Sequence, residues 1–307
     1  MPSKIIVGCD GSPQSDDALA LGQLLAGFMG AEVLAVHVYP THWAWSGIGY
    51  AAYLQLLERK AEHLLEDTVP AADDGVSTGL RAIPSASPAR GLHTIAEEED
   101  AALIVVGSRH CGAVGRVLPG AVGELLLRGA PCPVAIAPVE YAGRDAAQLR
   151  TVAVGYDGRA EARLALSLAL DLARAGKAAL RIICVNPPLP PTPAGAPDVG
   201  LTTLIPATRQ AHQEVLDEAS AAAEADVRCE PLLLDGEPSE TLLAQTERGV
   251  DLLVLGSRGY GRARQVLLGG VSHRLAHGAA CPVLIVPQGT AGESPRPMAE
   301  GVRSHRY

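Results

Sequence analysis

Aromatic side chains are scarce in this sequence, where Phe, Tyr and Trp together make up 3% of 307 residues. A core must therefore be built from aliphatic side chains, which suits helices packed on a sheet. Long apolar runs are missing too, because no segment approaches the roughly 20 residues of a membrane-spanning helix. The strand-like run Ile5–Val7 follows the start of the chain directly. We therefore expect no signal peptide, no membrane partner and a cytoplasmic location.

Closely spaced cysteines are also absent, since the six cysteines are scattered singly and no C-x-x-C motif occurs. This spacing predicts neither a zinc site nor a disulfide framework. We expect the cysteines in or beside strand-like runs to be buried free thiols that pack in the core. These are Cys9, Cys132, Cys184 and Cys281.

The sequence also has no excess of positive charge. Its formal net charge is −9 at pH 7. Sequence-independent binding to nucleic acid needs a broad basic face, so we expect no nucleic-acid partner. The sequence contains no Walker A motif, G-x4-G-K-[ST], and no Ser-His-Asp or metal-ligand constellation. Histidines such as His212 and His277 are read as surface or helix-face residues. These absences favour a binding protein over an enzyme.

The sequence does contain an internal repeat of one unit. Three motifs of the first half, each an apolar run followed by a turn or flanked by proline, recur in the same order in the second half. The pairs are Ile5–Gly11 with Val152–Gly158, Leu103–Arg109 with Leu252–Arg258, and Ala130–Val134 with Ala279–Val283. Two domains of similar architecture are therefore expected, at residues 1–138 and 151–287. A linker would cover residues 139–150, and a disordered tail residues 288–307.

Strands and helices alternate throughout both copies, which predicts parallel sheets covered by helices on both faces. Ser12 and Pro13 have the residue types of an N-cap and a first helical position, so a helix is expected from there to Met29. The third strand, Val76 to Ala82, is more polar and is expected near a sheet edge. The helix before this strand is expected from Tyr50 to Thr68, and its counterpart in the second copy over about 207–225.

Candidate ligand-binding residues follow the first and fourth strands of each copy. In a doubly wound sheet, ligands bind beyond the carboxyl ends of the strands. Asp10 and Asp157 follow the first strands, and a carboxylate there suits a ribose hydroxyl or a phosphate-bound Mg²⁺ ion. The glycine-rich stretch 256–272 follows the fourth strand of the second copy and has the features of a phosphate cradle. The alternative is that the aspartates form helix caps or Asx-turns and the glycines only turns.

These residues resemble the universal stress protein domains of the UspA superfamily, and the whole chain resembles its tandem members. The resemblance implies two tandem doubly wound five-stranded parallel sheets, with strand order 3-2-1-4-5 and helices on both faces. The family's nucleotide signature is G-x2-G-x9-G followed by Ser or Thr. Gly256, Gly259 and Gly269 match its three glycines, whereas Gly270 stands at the hydroxyl position.

The first copy departs further from this signature. Gly107 and Gly120 match, but His110 occupies the middle glycine position and Ala121 the hydroxyl position. The second site is therefore expected to be the better nucleotide site.

The resemblance also implies a residue set for an ATP molecule, bound with or without Mg²⁺. It places Val38 and Val185 against adenine, the two aspartates near the ribose and metal, and the helix start after the last glycine at the phosphates. The expected residues are Asp157, Val185, Gly256, Arg258, Gly259, Gly261, Arg262, Gly269, Gly270, Val271 and Ser272 in the second copy, and Asp10, Val38, Gly107, Arg109, His110, Gly120, Ala121 and Val122 in the first.

Three functions are consistent with these observations. The first is a regulatory protein of the stress or dormancy response that binds ATP with little or no turnover. The second is a slow Mg²⁺-dependent ATPase or phosphotransferase, in which Asp157 holds the metal. The third is a dimerisation scaffold that has lost its nucleotide sites. The fifth strand, Cys281 to Val286, is apolar and lies at a sheet edge, so it is expected to pair the two copies or to join a second chain.

Overall fold

A computed structural model describes residues 3–41, 50–69, 76–109, 114–143, 148–189, 201–223, 227–257 and 269–287, without the side chains of residues 201–204. Arg258, Gly259, Gly261, Arg262, His110 and the tail 288–307 lie outside the described residues. The first half runs β1 (Lys4–Gly8), α1 (Pro13–Met29), β2 (Glu32–Pro40), α2 (Tyr50–Thr68), β3 (Thr78–Ser85), α3 (Pro88–Glu98), β4 (Leu103–Gly107), α4 (Ala121–Leu127) and β5 (Val134–Ala137).

The second half repeats this order of strands and helices. It runs β6 (Thr151–Gly155), α5 (Ala160–Gly176), β7 (Ala179–Asn186), α6 (Leu201–Ala223), β8 (Cys229–Asp235), α7 (Pro238–Thr246), β9 (Leu252–Gly256), α8 (Gly270–Ala276) and β10 (Val283–Val286). None of the helices in the described part of the chain combines the length and the apolar character needed to cross a bilayer.

The strands of both halves form one ten-stranded sheet, in the order β3-β2-β1-β4-β5-β10-β9-β6-β7-β8. Each half therefore has the expected order 3-2-1-4-5, with parallel neighbours throughout. The halves join through β5 and β10, which pair antiparallel with Leu284 opposite Ala135. Of the two pairings expected for the fifth strand, the structure shows the one within the chain. The more polar third strands lie at the two edges, as expected for β3.

Local sequence signals account for the first helix. The Ser12 Oγ accepts a hydrogen bond from the Ser15 N–H, and Pro13 is the first helical residue. Gly30 ends α1 in the left-handed conformation, with φ of 60°, which glycine adopts without steric cost. The predicted bounds of this helix are confirmed at both ends.

Two other predicted boundaries were wrong. The third strand covers Thr78–Ser85 instead of residues 76–82, and α6 begins at Leu201 instead of about residue 207. Pro206 lies inside α6. Pro206 is the sixth residue of this helix, beyond the first turn, so the lack of an N–H there removes one intrahelical hydrogen bond. The helix therefore begins about six residues before the predicted start, and a proline lies inside it.

The core consists of two apolar layers, one on each face of the sheet, and each layer runs through both halves. Alternate residues of β1 face opposite layers: Ile5 and Val7 lie in one, and Ile6 in the other. The four cysteines expected in the core are buried there as thiols outside any disulfide bond. Burial raises the pKa of the Cys9 thiol to about 12.

The segment after β5 is tied to the first half by a buried carboxylate. Asp17 on α1 is 3% exposed and accepts hydrogen bonds from the backbone N–H groups of Glu140 and Ala142, at 2.9 and 2.8 Å. Tyr141 and Leu149, from the stretch expected to be a linker, are also buried in the core. The connection between the halves is therefore packed against them where the structure describes it.

Candidate functional site

A pocket of about 240 Å³ lies at the carboxyl ends of β6 and β9 in the second half. This is the position at which strand order reverses, because β6 pairs with both β7 and β9. Doubly wound folds bind ligands at such a point. The expected site residues that line it are Asp157, Val185, Gly256, Gly269, Val271 and Ser272.

One wall of the pocket is apolar. Ile183 and Val185 come from β7, Leu255 from the end of β9, and Leu242 from α7. Aliphatic side chains of this kind pack against the face of a planar ring system. Cys184 lies between the two β7 residues in sequence and is fully buried. Burial raises the pKa of its thiol to about 11, with a further contribution from the nearby Asp157 carboxylate.

Asp157, in the turn after β6, also lines the pocket. Its Oδ1 accepts a hydrogen bond from the Arg159 N–H at 3.2 Å, and its Oδ2 lies 3.6 Å from the Arg159 guanidinium. Gly158, between them, has a φ of 76°. Asp10 makes the equivalent turn, accepting from the Ser12 N–H at 3.0 Å. Both aspartates thus form the Asx-turns considered as an alternative, and Asp157 does so while lining the pocket.

The start of α8 forms the third side. Gly269 is its N-cap and Gly270 its first residue. The N–H groups of a first helical turn have no intrahelical acceptor, and they form a site of partial positive charge. The Ser272 Oγ donates a hydrogen bond to the Gly256 carbonyl oxygen at 3.0 Å, which ties the helix start to the end of β9. In this conformation the Ser272 hydroxyl proton is already used, so backbone N–H groups are the donors on this side.

The family model described as the universal stress protein family matches this chain twice, over residues 1–138 and 148–287. The chain belongs to the universal stress protein family. A universal stress protein of Mycolicibacterium smegmatis is 30% identical over 297 residues, covering 92% of this chain and 96% of that protein. One from Mycobacterium tuberculosis is 28% identical over 303 residues, covering 92% and 97%.

A solved structure of a universal stress protein from Archaeoglobus fulgidus has the same fold. It superposes with a TM-score of 0.65 at 21% identity, covering 93% of this chain and 98% of that chain. The similarity therefore extends over both halves.

The first glycine of the family signature has a structural role in both halves. A Cβ on Gly256 would lie 2.6 Å from the backbone carbonyl of Glu161 in α5, and a Cβ on Gly107 would lie 2.0 Å from the Gln14 carbonyl oxygen in α1. Helix and strand can approach this closely only where the strand residue has no side chain. Gly270 differs, because a Cβ there meets no described atom within 4 Å.

The described part of the loop after β4 in the first half forms hydrogen bonds within that half. The Ser108 Oγ accepts from the Leu118 N–H and donates to the Ala137 carbonyl oxygen. The Arg109 N–H donates to the Leu118 carbonyl oxygen at 2.8 Å, and the Arg109 side chain lies beside Gly120, the N-cap of α4.

From this loop, Arg116 reaches across to the second half. Its guanidinium donates to the Gly278 carbonyl oxygen at 2.7 Å and forms an ion pair with Glu247 at 2.5 Å. The first-half loop therefore helps to join the two halves. Val38, at the end of β2, packs against Gly91 of α3, where an added Cβ would lie 2.8 Å from its side chain. Asp10, Ala121 and Val122 lie at the same end of the first-half strands.

Arg159, Glu161 and His212 also line the pocket, and none of them was expected there from the sequence. Arg159 lines it, and the only available signal was its place after Asp157-Gly158, where the first copy has Ser12. His212, read as a helix-face residue, lines it from α6, and its Nδ1 lies 2.7 Å from the Thr208 carbonyl oxygen. No spacing in the sequence relates a residue on α6 to the loop after β6.

Proposed function

We propose that this universal stress protein binds an adenine nucleotide, ATP, in the pocket of its second half, as a regulatory binder with little or no turnover. The observation that carries the proposal is the convergence of Asp157, Val185 and the start of α8 on one pocket. These belong to the turn after β6, to β7 and to α8, and each has the chemistry that a different part of a nucleotide requires.

The pocket is small for a whole nucleotide, so we expect the phosphates to lie at its mouth. Its volume of about 240 Å³ is a little below the ~300–1,000 Å³ of pockets for drug-sized ligands. We place adenine against Val185 and Leu242, the ribose at Asp157, and the phosphates at the mouth beside Gly269. Arg159 lines the pocket as a cation, and Glu161 lines it as an anion. Membership of the family and the match of its glycine signature support this placement.

The scaffold alternative is weakened by the sheet. Pairing through the fifth strand was one ground for it, beside the altered signature positions, and β5 and β10 already use that edge on each other. An edge strand that is paired offers no free backbone groups to a second chain.

Isothermal titration calorimetry with ATP, with and without Mg²⁺, tests the proposal on Asp157→Ala and Asp10→Ala. The two aspartates form equivalent turns, so the second variant is a matched control for folding. Loss of a hydrogen bond to a charged group corresponds to about 1.5 kcal/mol, or roughly tenfold in Kd. We expect Asp157→Ala to weaken binding by about this factor or more and Asp10→Ala to leave it almost unchanged.

Other outcomes have defined meanings. Failure of the unmodified chain to bind ATP would refute the proposal. Equal losses in the two variants would refute the preference for the second site. ADP formation in the same samples that disappears in Asp157→Ala would replace the binding role with slow phosphotransfer.

A further inference from the structure

A cluster of three ionisable side chains lies where the two halves meet, on the side of α4 and α8. Glu124 belongs to α4 of the first half, and His273 and His277 to α8 and its C-cap in the second. The His277 Nε2 lies 2.6 Å from the Glu124 Oε1, and the His273 Nε2 lies 4.0 Å from the same oxygen. One potential ligand atom from each residue lies within 4.8 Å of the other two.

The hydrogen bonds of His277 determine what can occupy the space between these atoms. Its Nδ1 lies 2.7 Å from the His273 carbonyl oxygen. A carbonyl oxygen can only accept, so Nδ1 carries the proton, and Nε2 of the neutral ring presents a lone pair. An ionised Glu124 also presents only lone pairs. Two acceptors 2.6 Å apart require a positive species between them, either a proton on His277 or a metal ion.

The arrangement has the features of a zinc site. Two histidines four residues apart lie on the same side of a helix, and their rings here are stacked with centroids 4.2 Å apart. Zinc-bound histidines usually donate the other ring N–H to a carbonyl or carboxylate, as His277 does. Tetrahedral Zn²⁺ with bonds of ~2.0–2.1 Å holds its ligand atoms about 3.3 Å apart. The observed separations of 2.6 and 4.0 Å bracket that value.

Small side-chain rotations would give this geometry, because the three side chains are partly exposed. The exposed fraction is 49% for His273, 28% for His277 and 23% for Glu124. The Glu124 Oε2 is buried and accepts no hydrogen bond from any residue that the structure describes. The guanidinium of Arg128 lies 3.7 Å from this oxygen. This cation competes for Glu124, but through Oε2, whereas both histidines lie nearest Oε1.

We propose that Glu124, His273 and His277 bind a divalent transition-metal ion, Zn²⁺, with a water molecule as the fourth ligand. Two imidazoles and one carboxylate suit zinc better than Mg²⁺, which prefers oxygen ligands. Because the ligands come from both halves, the ion links α4 to α8 and stabilises their packing. The site is separate from the nucleotide pocket and does not depend on the proposed function.

Calorimetric titration with Zn²⁺ tests this on the full chain, without an affinity tag and after removal of metal with a chelator and of nucleotide by dialysis. We expect one Zn²⁺ per chain at this site and a higher melting temperature with Zn²⁺. Replacing a ligand should weaken binding by at least the ~10-fold seen when supporting residues of metal sites are removed. The variants are His277→Gln and Glu124→Gln, which preserve side-chain size.

His93→Gln is the matched control. His93 also lies four residues from a carboxylate on a helix, 3.4 Å from Glu97, but this pair has no third ligand within range among the described residues. We expect the control to bind Zn²⁺ as the unmodified chain does. Equal affinity in His277→Gln, or equal weakening in His93→Gln, would overturn the proposal.

A second measurement avoids dependence on the stability of the variants. Co²⁺ added to the unmodified chain should give the strong visible absorption of a tetrahedral site, and Zn²⁺ should displace it. Absence of that spectrum at saturating Co²⁺ would leave a protonated His277 as the species between the two acceptors and would refute the metal site.

Discussion

Restoring a hydroxyl at the start of α8 is expected to strengthen nucleotide binding. Gly270 stands where the family signature has Ser or Thr, and it is exposed at the first position of the helix. A Cβ added there meets no described atom within 4 Å. Gly270→Ser therefore fits without moving the backbone. Because Ser272 already donates to the Gly256 carbonyl, the new hydroxyl would be the side-chain donor that this helix start lacks.

The size of the effect follows from the type of bond. A hydrogen bond to a charged group stabilises by about 1.5–3 kcal/mol. Position 270 is exposed, so water competes for the phosphate and the lower end applies. About 1.4 kcal/mol corresponds to roughly tenfold in Kd. A separate effect acts on folding, because replacing glycine in a helix stabilises it by roughly 0.5–1 kcal/mol.

Gly270→Ala separates the two effects, since it adds the Cβ without the hydroxyl. Thermal unfolding without nucleotide should show a similar gain in stability for both variants. Calorimetry with ATP should show about tenfold tighter binding only for Gly270→Ser. Ala121→Ser makes the same change at the equivalent position of the first half and should alter ATP affinity little. Equal ATP affinities for the Ser and Ala variants at position 270 would refute the reasoning.

Two further predictions concern stability. Gly107→Ala should destabilise the chain by about 3 kcal/mol in urea unfolding, because its Cβ would overlap the Gln14 carbonyl oxygen at 2.0 Å. Gly129→Ala, where a Cβ meets no described atom within 4 Å, should change stability by less than about 0.5 kcal/mol, and equal effects would contradict this. The hydrogen bond from Lys4 is the main cause that lowers the pKa of Glu99 below its ordinary 4.5. The contribution of this pair to the free energy of unfolding is therefore present at neutral pH and is lost as pH falls through the lowered pKa. Urea midpoints at pH 7 and pH 3 should therefore differ less in Lys4→Met than in the unmodified chain, and an unchanged difference would count against this assignment.

Much of the fold could be predicted because its signals are local. The N-cap Ser12, Pro13 and the left-handed Gly30 specify both ends of α1 within the helix itself. The start of α6 was not predicted, because proline is disfavoured in the interior of a helix and Pro206 nevertheless lies at its sixth position.

The site could be predicted in part for the same reason. Asp157 and Gly256 are recognisable because each directly follows an apolar strand, and parallel strands bring their carboxyl ends together. His212 lines the same pocket from α6, and helix periodicity alone does not show which face of that helix meets the loop after β6.

The sequence by itself determined that the chain is one α/β unit written twice, because apolar periodicity and turn residues act over short distances. Only the tertiary structure decided that the two units share a sheet through β5 and β10, since an apolar edge strand can pair with any suitable partner. The same pairing brings Glu124 beside His273 and His277, which no local pattern connects. Contacts between the halves depend on how two complete units pack, and that is decided by surfaces that exist only once both have folded.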